Sequence, residues 1–327
     1  MFNRRAHIKE TMSRIIDKSR EKGGTSPDKA ATIRSLGITK ILIFSLLGIT
    51  IIICLAVGLN TYMSVPSDGA NQPGRLLGWR LSMYSHQQDK KPTYWVDTAR
   101  AISTEVPHSD PSGVWIIGKA QGASTILTFP SSTSHRHIQF TSTDQNEKYL
   151  TAFDNAGLKI WLQVEPANAN IGTLIDLVLG RYKNHSCIIG FGVDVEWYET
   201  SEYNNGKPVT NTEAQSWLNK VKSHGNYRLF LKHWLPSKLP TIQPDGLVFI
   251  SDSQDFSNLD DMVQEFKEWG QHFSQSNVCF QIGYEADRIW WSKIGDPVGT
   301  IARTLISNVP NCEGVYWVDF TILEVFP

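Results

Sequence analysis

From Gly113 to Phe320 the chain alternates short apolar runs with longer segments of helical period, and this alternation limits its fold more than any other feature. Runs rich in Val, Ile, Phe and Trp read as strands at 113–118, 136–141, 158–165, 187–196, 227–233, 246–252, 278–284 and 314–320. Between them, 146–156, 171–183, 212–223, 259–273 and 298–307 carry apolar residues at the spacing of a helix buried on one face. Gly157 and Gly225 stand where helix C-termini belong, because glycine accepts the left-handed backbone that ends a helix. Eight strands in this alternation predict an α/β fold, a (β/α)8 TIM barrel, since each parallel neighbour needs a crossover. A doubly wound open sheet is the alternative, but no glycine-rich phosphate loop follows 113–118.

Two irregularities are expected. Only 234–245, with Pro236, Pro240 and Pro244, separates the fifth and sixth strands, too little for a full fifth helix. Only 321–327 follows the eighth strand, so a full eighth helix is not expected either. Residues 93–104, with Trp95, Val96, Ala99 and Ile102 at helical spacing, are expected to cover that flank or the barrel bottom.

Ahead of the barrel, 41–59 contains no charge, and at 1.5 Å rise it would span roughly 28 Å, about one hydrocarbon core. The 40 residues before it hold ten Lys or Arg against four acids, which places them on the cytoplasmic side. The expected organisation is a basic cytoplasmic tail (1–40), a transmembrane signal-anchor in the lipid bilayer (41–59), a flexible linker (60–78) and an extracytoplasmic barrel (79–327). That is a single-pass type II membrane protein. The sequon Asn184-His185-Ser186 suits an outward-facing, extracellular domain. A formal net charge of −1 gives no basis for a nucleic-acid partner. Cys54 lies in the apolar run, and Cys279 with Cys312 is the candidate disulfide pair.

The chemistry concentrates in Gly190-Phe191-Gly192-Val193-Asp194-Val195-Glu196-Trp197-Tyr198-Glu199. Strict alternation puts Asp194 and Glu196 on one face, about 7 Å apart along a strand. An unpaired buried charge is expensive, so two inward acids ask for a use. The active end of such a barrel is the C-terminal end of its strands. There the sequence places Gln163 and Glu165 on the third strand, Asp194 and Glu196 on the fourth, and Lys232 and His233 on the fifth. Asp252 or Ser251 closes the sixth, Tyr284 and Glu285 the seventh, Trp317 and Asp319 the eighth. Trp234, Trp290 and Trp291 lie just past strand ends, where indole faces would stack on sugars; eleven tryptophans are many for this length, though core packing accounts for a share. Neighbouring carboxylates repel, so one is pushed up in pKa; Asp194 would hold Glu196 protonated as a general acid. The bland reading is that both are ion-paired with Lys232 or Arg288.

The stretch GVDVEWY resembles the fourth-strand signature of family-18 chitinase-like glycoside hydrolases, D-x-x-D-x-D-x-E followed by an aromatic residue. Asp194 and Glu196 match its last Asp and catalytic Glu, Trp197 its aromatic, and Trp317 in GVYWVDF resembles the tryptophan that floors the sugar site. The two earlier aspartates fall on Ile189 and Gly192. The resemblance implies a substrate bearing amino sugars, with Asp194 orienting the acetamido group. More widely, LKIWLQVEP, LFLKHW, ADRIWWSKIGDP and GVYWVDFT are similar to glycoside-hydrolase-like barrels over 93–327.

The expectation is a membrane-anchored glycoside hydrolase that cleaves a cell-surface or extracellular polysaccharide by carboxylate acid catalysis, without a cofactor. Its candidate catalytic residues are Glu196, Asp194, Glu285 and Glu165, either as a retaining Glu196–Glu285 pair or with Glu165 or Asp252 as an inverting base. Candidate substrate-binding residues are Gln163, Lys232, His233, Trp234, Asp252, Tyr284, Trp290, Trp317 and Asp319. No metal is expected, because the H-x-H of His135 and His137 precedes the second strand and falls at the wrong end. The alternative is a non-catalytic carbohydrate-binding barrel, which the fold alone does not separate from an enzyme.

Overall fold

A computed structural model describes residues 74–82, 84 and 89–327. The apolar run 41–59 and the basic tail lie outside the described residues, and among the described residues no helix is long and apolar enough to cross a membrane.

The strands are β1 (Arg75–Leu81), β2 (Ser109–Gln121), β3 (Ser124–Leu127), β4 (Ile138–Phe140), β5 (Lys159–Val164), β6 (Ile188–Asp194), β7 (Arg228–Lys232), β8 (Leu247–Ser251), β9 (Asn277–Ile282) and β10 (Cys312–Val318). The helices are α1 (Pro92–Ser103), α2 (Glu147–Ala156), α3 (Ile171–Tyr182), α4 (Asn211–Ser223), α5 (Leu259–His272), α6 (Arg288–Trp291), α7 (Pro297–Asn308) and α8 (Ile322–Val325). β1, β2 and β5 to β10 form a parallel ring in chain order, closed because β1 pairs with both β10 and β2. This is the eight-stranded (β/α) barrel the alternation predicts.

Two strands differ from expectation, in compensating ways. The first barrel strand is Arg75–Leu81, so its first four residues fall in the stretch read as linker and it adds a strand before 113–118. The run 136–141 contributes β4, which lies outside the ring: β2 runs past the barrel, turns at Gly122 (φ 58°), and returns as β3, antiparallel to it, with β4 alongside. One gain and one loss leave β6 as the fourth barrel strand.

Helix α1 corrects a second expectation. It packs on β1, β2 and α2 as the crossover between the first two strands, rather than covering the eighth flank or the barrel bottom. Its Tyr94 hydroxyl nonetheless reaches the C-terminal segment, donating to the Phe326 carbonyl at 2.8 Å. The two expected gaps are present: a three-residue 3-10 turn (Pro236–Lys238) stands between β7 and β8, and four-residue α8 follows β10.

Alternation along each strand divides the core in two. Outward residues such as Leu77, Trp79, Phe191, Val193, Phe249 and Trp317 form the layer under the helices. Inward residues Leu76, Val114, Trp161, Phe230, Val248, Ile250, Cys279 and Tyr316 plug the lower barrel, with Trp161 donating to the Tyr316 hydroxyl at 3.1 Å. Cys279 belongs to the inner plug and Cys312 to the outer layer, so the candidate disulfide is absent and both thiols are free.

Candidate functional site

Above the apolar plug, the inward positions become polar. On β5 the inner row runs Trp161, Gln163 and, just past its end, Glu165; on β6 it runs Gly190, Gly192, Asp194; on β7, Phe230 and Lys232; on β8, Ile250 and, just past its end, Asp252. The two β6 glycines make room for their neighbours' rings. A Cβ on Gly190 would lie 2.3 Å from the Trp161 ring, and one on Gly192 would lie 2.0 Å from the Phe230 ring. The volume that an aspartate would need at 192 is therefore filled by Phe230.

Lys232 is the hub of the mouth. Its ammonium lies 2.6 Å from Asp252 Oδ2, 2.9 Å from Asp194 Oδ2 and 4.0 Å from Glu196 Oε2. Gln163 Nε2 donates to the same Asp194 oxygen at 3.3 Å. Burial would lower the Lys232 pKa, but Asp194 and Asp252 hold it well above its ordinary value. Asp194 is raised by burial, which Lys232 only partly opposes, because one ammonium serves several carboxylates. Glu196 sits in the Val195–Trp197 3-10 turn with its side chain 18% exposed, the carboxylate of this group most open to solvent.

Glu165 occupies a different environment. Its Oε2 accepts from the Ala120 backbone N–H at 2.9 Å and from the Tyr84 hydroxyl at 2.5 Å. No direct bond from Lys232 reaches it, and burial, reinforced by the charge on Asp194, pushes its pKa up to about 7. The β2 extension explains how this is built. Thr125 of β3 donates to the Glu165 carbonyl at 2.8 Å, fixing the hairpin whose Ala120 N–H meets the carboxyl.

The opposite wall comes from β1, β9 and β10. Arg80 pairs with Asp319 at 3.2 Å and donates to the Tyr284 hydroxyl at 3.4 Å, which in turn donates to Gln281 Oε1 at 3.3 Å. Asp319 also accepts from the Ser82 N–H and hydroxyl, both at 3.0 Å. Burial raises Tyr284 to about 12, so it is a neutral donor. The Phe320 ring, 46% exposed, lies 4.9 Å from the Arg80 guanidinium, and Lys119 sits 4.1 Å above the Tyr84 ring.

The structure thus brings together Gln163, Glu165, Asp194, Glu196, Lys232, Asp252, Tyr284 and Asp319 from the residues the sequence singles out. Others it places elsewhere. Glu285 is 62% exposed in a surface turn and pairs with Arg288 at 3.3 Å, so it lacks the burial of the other mouth carboxylates. Trp317 points outward, packing on Trp291 at 5.2 Å and donating to Thr321, because its register position alternates with inward Tyr316. Trp234 and Trp290 are buried, and ten of the eleven tryptophans are core residues, leaving only Trp197 half-buried; those expected to stack on sugars are buried instead. His233 uses both ring nitrogens on backbone: Nδ1 accepts from Leu235 N–H and Nε2 donates to the Asn205 carbonyl, each at 2.9 Å. Burial holds it down to about 4, so it anchors a loop as a neutral ring. Among the described residues no group of three His, Cys, Asp or Glu could hold a metal, and His135 and His137 bond to Thr133 and Arg136.

Sequence reasoning missed Arg80, Ser82, Tyr84 and Phe320. A signal existed for Arg80, a charge at an inner position of the alternating Leu76–Leu81 run.

No family model and no curated protein matches the chain. Among solved structures, a GH5-4 broad specificity endoglucanase from an uncultured bacterium is similar at 8% identity, over 74% of this chain and 86% of that one, with a TM-score of 0.47. An endocellulase from Pyrococcus horikoshii is 13% identical over 77% and 86%, with a TM-score of 0.45. The carboxyl transferase domain of pyruvate carboxylase from Rhizobium etli is 11% identical over 76% and 40%, with a TM-score of 0.41. These values are too low to carry any argument about activity.

Proposed function

We propose that the chain is a glycoside hydrolase-like barrel in which Glu165 is the acid that protonates the leaving group and Glu196 its carboxylate partner. One observation carries this reading: Glu165 is a nearly inaccessible carboxyl at the C-terminal mouth that accepts from Tyr84 and the Ala120 N–H, with its pKa raised to about 7, beside Asp194 and Asp252, which pair directly with a buried lysine. Two acids with environments pushing them apart is the arrangement that assigns acid and base roles. It moves the proton donor from Glu196, which the sequence favours, to Glu165. Asp194 and Asp252 then set the field, and Arg80, Gln163 and Tyr284 supply hydrogen bonds to sugar hydroxyls. Exposed Tyr84 and Phe320 replace the tryptophans as rings against which a sugar could lie.

The test assays the full chain, Glu165→Gln and Glu196→Gln against a panel of polysaccharides, with binding followed in parallel. Loss of turnover by about 10²-fold or more in both variants, with binding retained, fits acid–base work. The anomer released first, read by NMR, separates retention from inversion. The direct bonds from Lys232 to Asp194 and Asp252 favour a second reading, a non-catalytic carbohydrate-binding barrel whose acids are structural. Binding without turnover in the unaltered chain would select it. The type II orientation through 41–59, with the barrel outside the membrane and an extracellular or cell-surface glycan as substrate, belongs to the same proposal. Protease added to intact cells should remove the barrel and spare the N-terminal tail.

A further inference from the structure

We propose that Tyr84 is a catalytic residue whose hydroxyl carries the proton from Glu165 to the leaving-group oxygen. This rests on the glycosidase reading of the mouth. The Glu165 residue is 2% exposed, whereas Tyr84 is 41% exposed and its hydroxyl lies 2.5 Å from Glu165 Oε2. A substrate oxygen entering the mouth therefore meets the phenol before the carboxyl. The Ala120 N–H takes one position on Oε2 and can only donate there. Tyr84 holds the other, and a hydroxyl both donates and accepts. Its bond to Oε2 survives in either protonation state of Glu165, with only the direction of the proton reversed.

The step balances with Glu196 counted: its carboxylate, or a water that gives its proton to that carboxylate, bonds to the anomeric carbon as the leaving group departs. The glycosidic C–O bond breaks and its electron pair stays on the leaving oxygen, which takes the Tyr84 proton. Tyr84 recovers a proton from Glu165 Oε2, leaving Glu165 as the carboxylate. No tyrosinate accumulates, because the two transfers are concerted. The charged groups around this pair are Asp194 from β6, Lys232 from β7, Arg80 from β1 and Lys119 from β2 above the Tyr84 ring. The Lys119 ammonium steadies electron density on the phenol as its proton leaves.

The test uses the full-length chain with neutral aryl glycosides of two kinds: dinitrophenyl, whose leaving group needs no proton, and phenyl, whose leaving group does. Tyr84→Phe is expected to lose about 10²-fold in kcat/KM on phenyl glycosides and little on dinitrophenyl glycosides, with Glu165→Gln following the same pattern. Equal rates for Tyr84→Phe and the unaltered chain on both kinds, with loss in Glu165→Gln, would overturn the relay and leave Glu165 as the direct acid. A uniform loss on both kinds would reduce Tyr84 to a packing role and equally overturn it. Absence of turnover by the unaltered chain on every probe would overturn the relay together with the glycosidase reading.

Discussion

At the scale of single residues, the site is defined by a surplus of carboxylates over cations inside a barrel, and that surplus has thermodynamic consequences. Glu165 has an ordinary pKa of 4.5 and is raised to about 7 in the fold. The folded chain thus keeps a proton that the unfolded chain releases between those values. The resulting stability is fully present below pH ~4.5 and is lost as pH rises through ~7, a difference on the order of 3 kcal/mol at most. Glu165→Gln should therefore flatten that part of the pH dependence and be more stable than the unaltered chain at pH 8. Urea unfolding across pH 4 to 8 measures it, and an unchanged slope would mean that Glu165 ionises normally. Lys232 has the opposite status. Replacing it by methionine leaves Asp194 and Asp252 buried without their ammonium, at a cost of about 3–5 kcal/mol. That loss should shrink at low pH, where the acids take protons instead, and a constant loss would point to packing alone.

At the scale of elements, β6 shows how much of the site the sequence could reveal. Period-two alternation made the inward direction of Asp194 legible, as it did for Gln163 and Glu165 on β5. What alternation does not reveal is the packing of neighbouring strands into the same space. A Cβ at 192 would meet the Phe230 ring, a contact across a strand pair 38 residues apart in the chain. Gly192→Ala should destabilise the barrel by about 1–3 kcal/mol through overpacking. Phe230→Leu in the same chain should recover part of the loss, and full additivity in that double-mutant cycle would deny the contact. The same limit explains the misread strands. β1 was hidden because its inner positions hold Gly78 and Arg80, and a Cβ at 78 would lie 1.7 Å from the Ser112 carbonyl oxygen. The run 136–141 has strand composition but pairs with β3 outside the ring. Tryptophans past strand ends looked like sugar platforms, yet Trp234, Trp290 and Trp291 are all buried. Tyr84 sits in a connecting segment with no period to read, and Phe320, read as the last residue of the eighth strand, falls past its end at Val318.

At the scale of the whole molecule, the ring depends on one strand that composition disguises. β1 pairs with β2 over Arg75–Leu81 and with β10 over Leu76–Arg80, so it has no free edge and leaves none on its neighbours. Trp79 on its outer face meets Trp95 at 5.1 Å and Phe153 at 5.5 Å, joining α1 and α2 to the wall, while Arg80 on its inner face holds Asp319. Removing β1 would strip the apolar wedge and the mouth's arginine together, and would expose two long parallel-strand edges to aggregation. A chain starting at residue 74 should melt in one cooperative transition, whereas one starting at residue 82 should lose that transition and associate. Calorimetry with sedimentation on the two chains measures this. A cooperative, monomeric chain from residue 82 would show that the sheet is stable open, and that closure serves the site rather than the fold.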